Sequence, residues 1–248
     1  MGRVDLNCDL GEGAGHDTEL MPLVTSANIA CGGHAGDEAS MRAALRLARE
    51  HGVAAGAHPS LPDREHFGRR EYPVLPDEVF AHVLSQTLAL ARVASETGAR
   101  LAHVKPHGAL YNMAARNTLL GDAVARAVYE VDPRLVLFAL AGSALVRAGR
   151  ECGLAVAEEV FADRTYQPDG SLTPRHRGDA LVPDEAAAVA QVITMVRHGR
   201  VRAVDGQEVP VRADTVCIHG DGPAAVALAG RLNRELRAAG VELAAFRA

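Results

Sequence analysis

The sequence predicts one α/β domain, folded as a parallel β/α barrel. Short apolar runs alternate with longer segments of helical periodicity along almost all of the 248 residues, and such alternation is typical of a parallel sheet covered by helices. Polar residues follow nearly every apolar run, at the edge where a barrel has its active-site rim. An open dinucleotide-binding sheet is disfavoured, because Gly11–His16 after the first run has histidine in place of the third glycine of that fingerprint.

Seven apolar runs are predicted to be strands, and six segments with apolar residues every three or four positions are predicted to be helices. The predicted strands are residues 3–9, 26–31, 53–58, 101–107, 134–140, 154–161 and 215–219. The predicted helices are residues 37–51, 76–97, 116–131, 142–151, 183–198 and 222–239. Pro76 and Pro183 are each followed by two acidic residues, and both features favour a first helical turn. Glycine follows four of the helical segments, as it commonly does at helix ends.

Two segments near the C-terminus depart from the alternation. Residues 200–213 predict a β-hairpin with a type I′ turn at Asp205-Gly206. Residues 241–246 are either an eighth strand or a tail docked on the barrel. Because no linker, repeat or low-complexity tract divides the chain, residues 1–248 are predicted to form a single domain.

Composition excludes several classes of function. The formal net charge is −5, so a general nucleic-acid binder is not expected. No run of 18 uncharged apolar residues is present, so no membrane span is expected. The four cysteines form no Cys-x-x-Cys pair, and the N-terminus lacks the apolar run of a secretion signal. A reduced, cytoplasmic protein is therefore predicted.

Polar and ionisable side chains occupy the barrel-facing positions of several predicted strands, by the two-residue alternation of strands. These inward positions are Asp5, Asn7, Asp9, His58, His103, Lys105, His107, Cys217, His219 and Asp221. Lys105 is a poor surface residue because it lies between Val104 and Pro106, so we assign it to function and expect burial to lower its pKa. His103 lies deeper and is expected to be a core histidine. The strand cysteines are expected to be small buried hydrophobes.

Two glycine-rich segments each precede a predicted helix. Gly32-Gly33-His34 follows the second strand, and His219-Gly220-Asp221 follows the last. Backbone N–H groups at a helix N-terminus can bind an anion, although glycines that merely make tight turns explain the same pattern equally well. Neither segment is a Walker A loop, so no ATP-binding motif is identified.

The segment 161–175 is too long and polar for an ordinary connection and predicts a lid or a partner surface. Within it, Asp163 and Arg164 lie just past a strand end, where Arg164 could clamp a substrate carboxylate. The loop 58–73 is similar in kind. For its Arg69 and Arg70, a solvated surface role is equally favoured.

Six blocks of the chain resemble the LamB/YcsF family, in the family's order and from residue 3 to about residue 222. They are residues 5–13, 26–37, 56–60, 105–112, 159–166 and 219–221. The resemblance implies an irregular seven-stranded β/α barrel of the glycoside hydrolase/deacetylase type. It also implies the A component of a 5-oxoprolinase, which opens 5-oxo-L-proline to L-glutamate with ATP and Mg²⁺ as cosubstrate, together with partner subunits B and C. No tightly bound cofactor is expected.

That reaction needs a general base, cations for anionic groups and donors for a developing oxyanion. Asp9 or His58 is the expected base, Lys105 and Arg164 are the expected cations, and His107 is a further expected catalytic residue. The glycine N–H groups would hold the anion. The expected substrate-binding residues are Asn7, Asn28, Gly32, Gly33, His34, Asp163, Arg164, His219, Gly220 and Asp221.

Two other functions stay open. A stand-alone metal-dependent amidohydrolase or deacetylase could use Asp9, His34, His58 and His219 as ligands. The metal is second choice, because Lys105 already supplies a positive charge. The other alternative is a non-catalytic protein that binds the substrate for its partners. Asp9, His58 and Lys105 are predicted to cluster within about 8 Å at the C-terminal mouth of the barrel, with His34 and His219 lining the same pocket. Convergence of Asp9 and two histidines on one point would favour the metal site instead.

Overall fold

The computed structural model describes residues 2–222 and 224–247. Its strands are, in chain order, β1 (Arg3–Leu10), β2 (Ser26–Ala30), β3 (Ala54–His58), β4 (Leu101–Val104), β5 (Val136–Leu140), β6 (Val156–Phe161), β7 (Arg200–Arg202), β8 (Glu208–Pro210), β9 (Thr215–Ile218) and β10 (Glu242–Leu243). Strands β1 to β6 pair in order, β9 pairs with β6, and β9 pairs again with β1. All of these pairings are parallel. The predicted seven-stranded parallel barrel is therefore confirmed.

Helices cover the outside of the barrel. They are α1 (Asp17–Leu20), α2 (Glu38–His51), α3 (Pro76–Glu96), α4 (Gly108–Arg116), α5 (Thr118–Val131), α6 (Ala144–Glu151), α7 (Glu185–His198) and α8 (Ala225–Ala238). Side-chain caps set several starts: Asp37 accepts the N–H of Ser40 before α2, and Asp184 accepts that of Ala187 before α7. Among the described residues, no helix is both long and apolar enough to cross a membrane.

Helix α4 was not predicted, because Pro106-His107-Gly108 resembles a rim loop. Gly108 makes this helix start possible: its φ is +56°, and a Cβ there would lie 2.4 Å from the carbonyl oxygen of Gly68. The predicted helix 116–131 begins instead at Thr118. Asn117 ends α4 and caps α5, since its side chain accepts two N–H groups of the first turn of α5.

The two C-terminal segments that depart from the alternation form a hairpin and a short strand. Strands β7 and β8 pair antiparallel within the segment 200–213. A type I′ turn is wrong, because it needs positive φ at both central residues and only Gly206, at +89°, has it. Strand β10 pairs with Arg3 and Val4. It is a short eighth strand at the N-terminal end of β1, outside the closed ring that the other seven strands form.

The two faces of β1 show how the barrel is built. Its apolar face is fully buried against the helices, whereas Asp5, Asn7 and Asp9 on the other face are buried in the barrel interior. Asp5 accepts hydrogen bonds from the hydroxyls of Ser26 and Thr215, at 2.7 and 2.5 Å. The barrel interior is thus a hydrogen-bonded polar network, which continues up to the C-terminal mouth.

Candidate active site at the barrel mouth

Lys105 occupies the centre of the mouth. Its backbone N–H donates to the carbonyl of Ala57, which prolongs the β3–β4 pairing and turns the side chain inward, where the residue is only 2% exposed. Its Nζ lies 2.8 Å from Asp9 Oδ1, 3.1 Å from Glu159 Oε1 and 2.9 Å from Cys217 Sγ. Burial acts to lower the pKa of Lys105, but Asp9 and Glu159 outweigh it and hold the pKa well above its ordinary value. The expected lowering is therefore wrong.

Asp9 joins Lys105 to the histidines. Its Oδ1 also accepts from Asn28 at 2.8 Å, and its Oδ2 lies 3.4 Å from His58 Nε2. Burial acts to raise the pKa of Asp9, but the neighbouring His58 and Lys105 outweigh it and hold the pKa well below its usual range. Asp9 is therefore a carboxylate with one oxygen committed to donors and the other facing the imidazole of His58.

The two asparagines form the floor of this site. Asn28 donates to Asn7 Oδ1 at 2.7 Å, and Asn7 donates to Glu159 at 2.9 Å. His103 Nε2 is bonded to Asn28 Oδ1 at 2.7 Å, and its ring stacks on Phe138. Burial lowers the pKa of His103 to about 3, so it is a neutral core histidine, as predicted.

Four further side chains converge beside Asp9 and form what we call the histidine cluster: Glu12, His34, His58 and His107. Each comes from the C-terminal end of a different strand or from the loop after it. Their side chains are at most 4% exposed. Glu12 Oε1 lies 2.9 Å from His34 Nε2 and 3.5 Å from His107 Nδ1. His58 Nε2 lies 2.9 Å from His107 Nδ1.

Positive side chains surround the entrance. A cavity of about 30 Å³ above Lys105 is lined by Asp9, His58, Arg69, Lys105, Pro106, His107, Gly108, Tyr111, Asn112, Phe161, Arg164, Leu172, Arg175 and His219. It holds roughly one water molecule, and it adjoins a groove of about 1220 Å³ whose lining includes Arg69, Arg116, Arg147 and Arg175. His219 bonds Asp163 at 2.8 Å, and Asp221 bonds Arg69 at 2.5 Å. An anionic ligand would meet guanidinium groups before reaching Lys105.

Comparison with known proteins identifies the family. The sequence model that describes the LamB/YcsF family matches residues 4–248 of this chain. The chain belongs to the LamB/YcsF family. It is 55% identical over 251 residues to a protein of Bacillus licheniformis named as the A component of 5-oxoprolinase, with 99% of each chain covered. It is 54% identical to a protein of the same name from Geobacillus kaustophilus, covering 100% of this chain and 98% of the relative.

Solved structures agree with this assignment. A lactam utilization protein from Thermus thermophilus superposes with a TM-score of 0.91 at 46% identity, covering 98% of this chain and 100% of that one. A peptidoglycan deacetylase from Bacillus subtilis superposes with a TM-score of 0.50 at 12% identity, covering 98% and 87%. The second likeness concerns the fold alone and fits the deacetylase-type barrel expected of a LamB/YcsF protein.

In this LamB/YcsF protein, packing and backbone conformation account for the glycines that were expected to bind an anion. Gly32 donates its N–H to the carbonyl of Ala35 at 2.9 Å. A Cβ on Gly33 would lie 2.4 Å from Gln86 Oε1, and a Cβ on Gly220 would lie 2.5 Å from the Asp9 carbonyl oxygen. Close packing therefore explains Gly33 and Gly220, and a positive φ of +91° explains Gly32. The N–H of Gly32 is used within its turn, so it does not bind an anion in this structure.

Arg164 lines the cavity but is partly used within its own loop, and its role as a carboxylate clamp stays a prediction. The residue is buried, and its guanidinium donates to the carbonyls of Thr173 and Ala180, at 2.5 and 3.2 Å. Burial lowers its pKa to about 10. Arg164 braces the segment 161–175, whereas Arg69 and Arg175 present positive charge at the entrance.

The remaining expected residues come together, with some additions. Asp9, His58, Lys105 and His107 share the mouth, and His34 and His219 lie beside them. Sequence reasoning missed Glu12, Glu159 and Tyr111, whose hydroxyl donates to Glu159 at 2.7 Å. A glutamate within an apolar run was the available signal for Glu159, and the rim position directly after β1 was the signal for Glu12.

The expected metal ligands do not converge as one set. They were Asp9, His34, His58 and His219, but His219 groups with Asp9 and Cys217 instead.

Proposed function

We propose that this chain is the component of an ATP-dependent 5-oxoprolinase that binds 5-oxo-L-proline and opens its lactam ring. The observation that carries the proposal is the buried Lys105–Asp9 pair beneath an entrance bearing Arg69 and Arg175. A five-membered lactam with one carboxylate suits such a site, because cations at the entrance match the carboxylate and a polar pocket matches the amide. The names of the two curated relatives support the same substrate.

The lactam amide is stable, so its carbonyl needs activation before water attacks. Transfer of the γ-phosphoryl group of ATP to the carbonyl oxygen would release ADP and leave an imidate phosphate. Water then adds to the ring carbon, and the C–N bond of this tetrahedral adduct breaks as the nitrogen is protonated, which leaves the acyl phosphate of the opened chain. A second water hydrolyses the acyl phosphate to release phosphate and L-glutamate. In this proposal Asp9 Oδ2 takes a proton from the water and Lys105 stabilises negative charge on oxygen.

We assign ATP binding to the complex that this chain forms with partner subunits B and C. The chain has no Walker A motif, so we expect it to convert 5-oxoproline negligibly when alone. Mg²⁺ would enter with the nucleotide.

The test is release of L-glutamate from 5-oxoproline by this chain mixed with subunits B and C, Mg²⁺ and ATP. We expect turnover from the full mixture and none when this chain or ATP is omitted. Turnover by this chain without ATP would favour a stand-alone amidohydrolase. Unchanged turnover of the B and C mixture when this chain is omitted would contradict a catalytic role.

A further inference from the structure

The hydrogen bonds of two histidines fix which of their nitrogens carry protons. His58 Nδ1 lies 2.7 Å from the carbonyl oxygen of Lys105, and His107 Nε2 lies 2.9 Å from that of Phe67. A carbonyl oxygen only accepts, so both of these nitrogens must be N–H donors. In neutral rings, the other two nitrogens, His58 Nε2 and His107 Nδ1, then carry lone pairs.

These two lone pairs face each other at 2.9 Å. Two acceptors at that distance repel unless a cation lies between them, which is either a proton that makes one ring an imidazolium or a metal ion. Glu12 Oε1 lies 3.5 Å from His107 Nδ1 and 3.9 Å from His58 Nε2, and it is itself an acceptor. Among the described residues, no lysine or arginine pairs with Glu12 within 4 Å. With both rings neutral, these three residues present three lone pairs and, among the described residues, no lysine or arginine to neutralise Glu12.

From this geometry we propose that His58 Nε2, His107 Nδ1 and Glu12 Oε1 bind a divalent transition-metal ion. Ligand atoms that share an ion at about 2.1 Å lie about 3.0–3.4 Å from one another. Two of the three separations, 2.9 and 3.5 Å, are close to that range, and the third, 3.9 Å, closes with a small shift of Glu12. Two imidazoles and one carboxylate with open positions suit Zn²⁺ or Mn²⁺ better than Mg²⁺.

The surroundings match those of a metal site. Ligating histidines usually donate their second N–H to a carbonyl or carboxylate, as His58 and His107 both do. The carbonyl that holds His107 belongs to Phe67, whose φ of +54° is strained for a residue with a side chain. Gly68 packs on the cluster: a Cβ there would lie 2.8 Å from His34 Cβ and 3.0 Å from the His107 ring.

His34 is a positioning residue in this arrangement. Its Nε2 is bonded to Glu12 Oε1 at 2.9 Å, whereas its Nδ1 is buried without a hydrogen-bond partner among the described residues. A ligating histidine would need a partner for that second nitrogen. His34 therefore donates to the carboxylate of Glu12 and stacks on His107, with ring centroids 3.7 Å apart.

The neighbouring group Asp9, Cys217 and His219 is not a second metal site. The Nζ of Lys105 lies 2.8 Å from Asp9 and 2.9 Å from Cys217, so an ammonium group already fills that space. Asp9 lies between the Lys105 ammonium and the proposed metal position, because its Oδ1 contacts Lys105 and its Oδ2 faces His58. A carboxylate shared in this way offsets the repulsion between an ammonium and a metal ion.

The proposed metal site goes beyond the lactam-opening function. It is tested by ion binding to the isolated chain, which does not depend on lactam turnover. The untagged protein is stripped with a chelator, dialysed, and titrated with Zn²⁺ and Mn²⁺ by calorimetry, with Co²⁺ as a spectroscopic probe. We expect one ion per chain and visible d–d absorption from bound Co²⁺. Absence of stoichiometric binding by the folded wild-type chain would overturn the proposal, whatever the variants do.

Three variants locate the site. Glu12→Gln should weaken Zn²⁺ binding more than about 100-fold, and His34→Gln should weaken it about 10–100-fold, as is typical when a residue that orients a ligand is lost. His51→Ala is the matched control, since it removes an exposed imidazole at the end of α2 and should bind as the wild type does. Circular dichroism confirms that each variant is folded. Equal affinity of Glu12→Gln and His51→Ala would place any bound ion elsewhere and contradict the assignment.

Discussion

Replacing Lys105 with methionine tests whether its charge holds the barrel mouth together. Methionine keeps an unbranched stem of similar size but removes the ammonium that Asp9 and Glu159 share at 2.8 and 3.1 Å. Asp9 and Glu159 are 5% and 0% exposed, so both carboxylates would lose their counter-charge in a buried setting. Breaking a buried pair in this way typically costs about 3–5 kcal/mol, a large part of the roughly 5–15 kcal/mol that stabilises a folded domain.

The assay is urea unfolding followed by circular dichroism, since the chain has no tryptophan. Arg92→Met is the matched control: its pairs with Glu38 and Glu96 are exposed to solvent, so its unfolding midpoint should stay close to that of the wild type. The double variant Lys105→Met/Asp9→Asn should lose less stability than the sum of the single variants, by about 1–3 kcal/mol, because it removes both charges. A loss below about 1 kcal/mol for Lys105→Met, or strict additivity, would refute the reasoning.

Three further substitutions probe the network around this pair. Gly56→Ala should lower the free energy of unfolding by at least about 1–3 kcal/mol, because the new Cβ would lie 2.2 Å from the buried His103 ring; Gly178→Ala, which meets nothing within 4 Å, is the control. Tyr111→Phe should cost about 1.5–3 kcal/mol in urea unfolding, through loss of its hydrogen bond to Glu159, and an unchanged unfolding midpoint would contradict that bond. Arg69→Gln should raise the KM for 5-oxoproline in the reconstituted complex with little change in kcat, and an unchanged KM would remove Arg69 from carboxylate recognition.

The barrel and its inward face could be predicted because strands alternate strictly in side-chain direction. That alternation places Asp9 and Lys105 inside the barrel once their strands are recognised, and the parallel pairing then brings both to one end. The identity of His103 as a core histidine followed from the same argument, since it lies one inward position below Lys105.

The features that could not be predicted from the sequence depend on contacts between distant segments. The pKa of Lys105 rises because Asp9 and Glu159 face it, and burial considered alone gave the opposite sign. Arg164 binds carbonyls of its own loop, which periodicity does not reveal. Glu12 lies in a glycine-rich turn, and its role emerges only when three strands place histidines around it.

Asp9 and Lys105 are assigned the lactam chemistry, and Asp9→Asn tests that assignment most directly. Asparagine keeps the shape of Asp9 and its amide oxygen can still accept from Lys105 and Asn28, so the variant should fold. Glutamate release by the complex with subunits B and C should fall about 10²–10⁴-fold, the usual contribution of a general base. A folded Asp9→Asn complex that releases glutamate within about threefold of the wild-type rate would contradict the account.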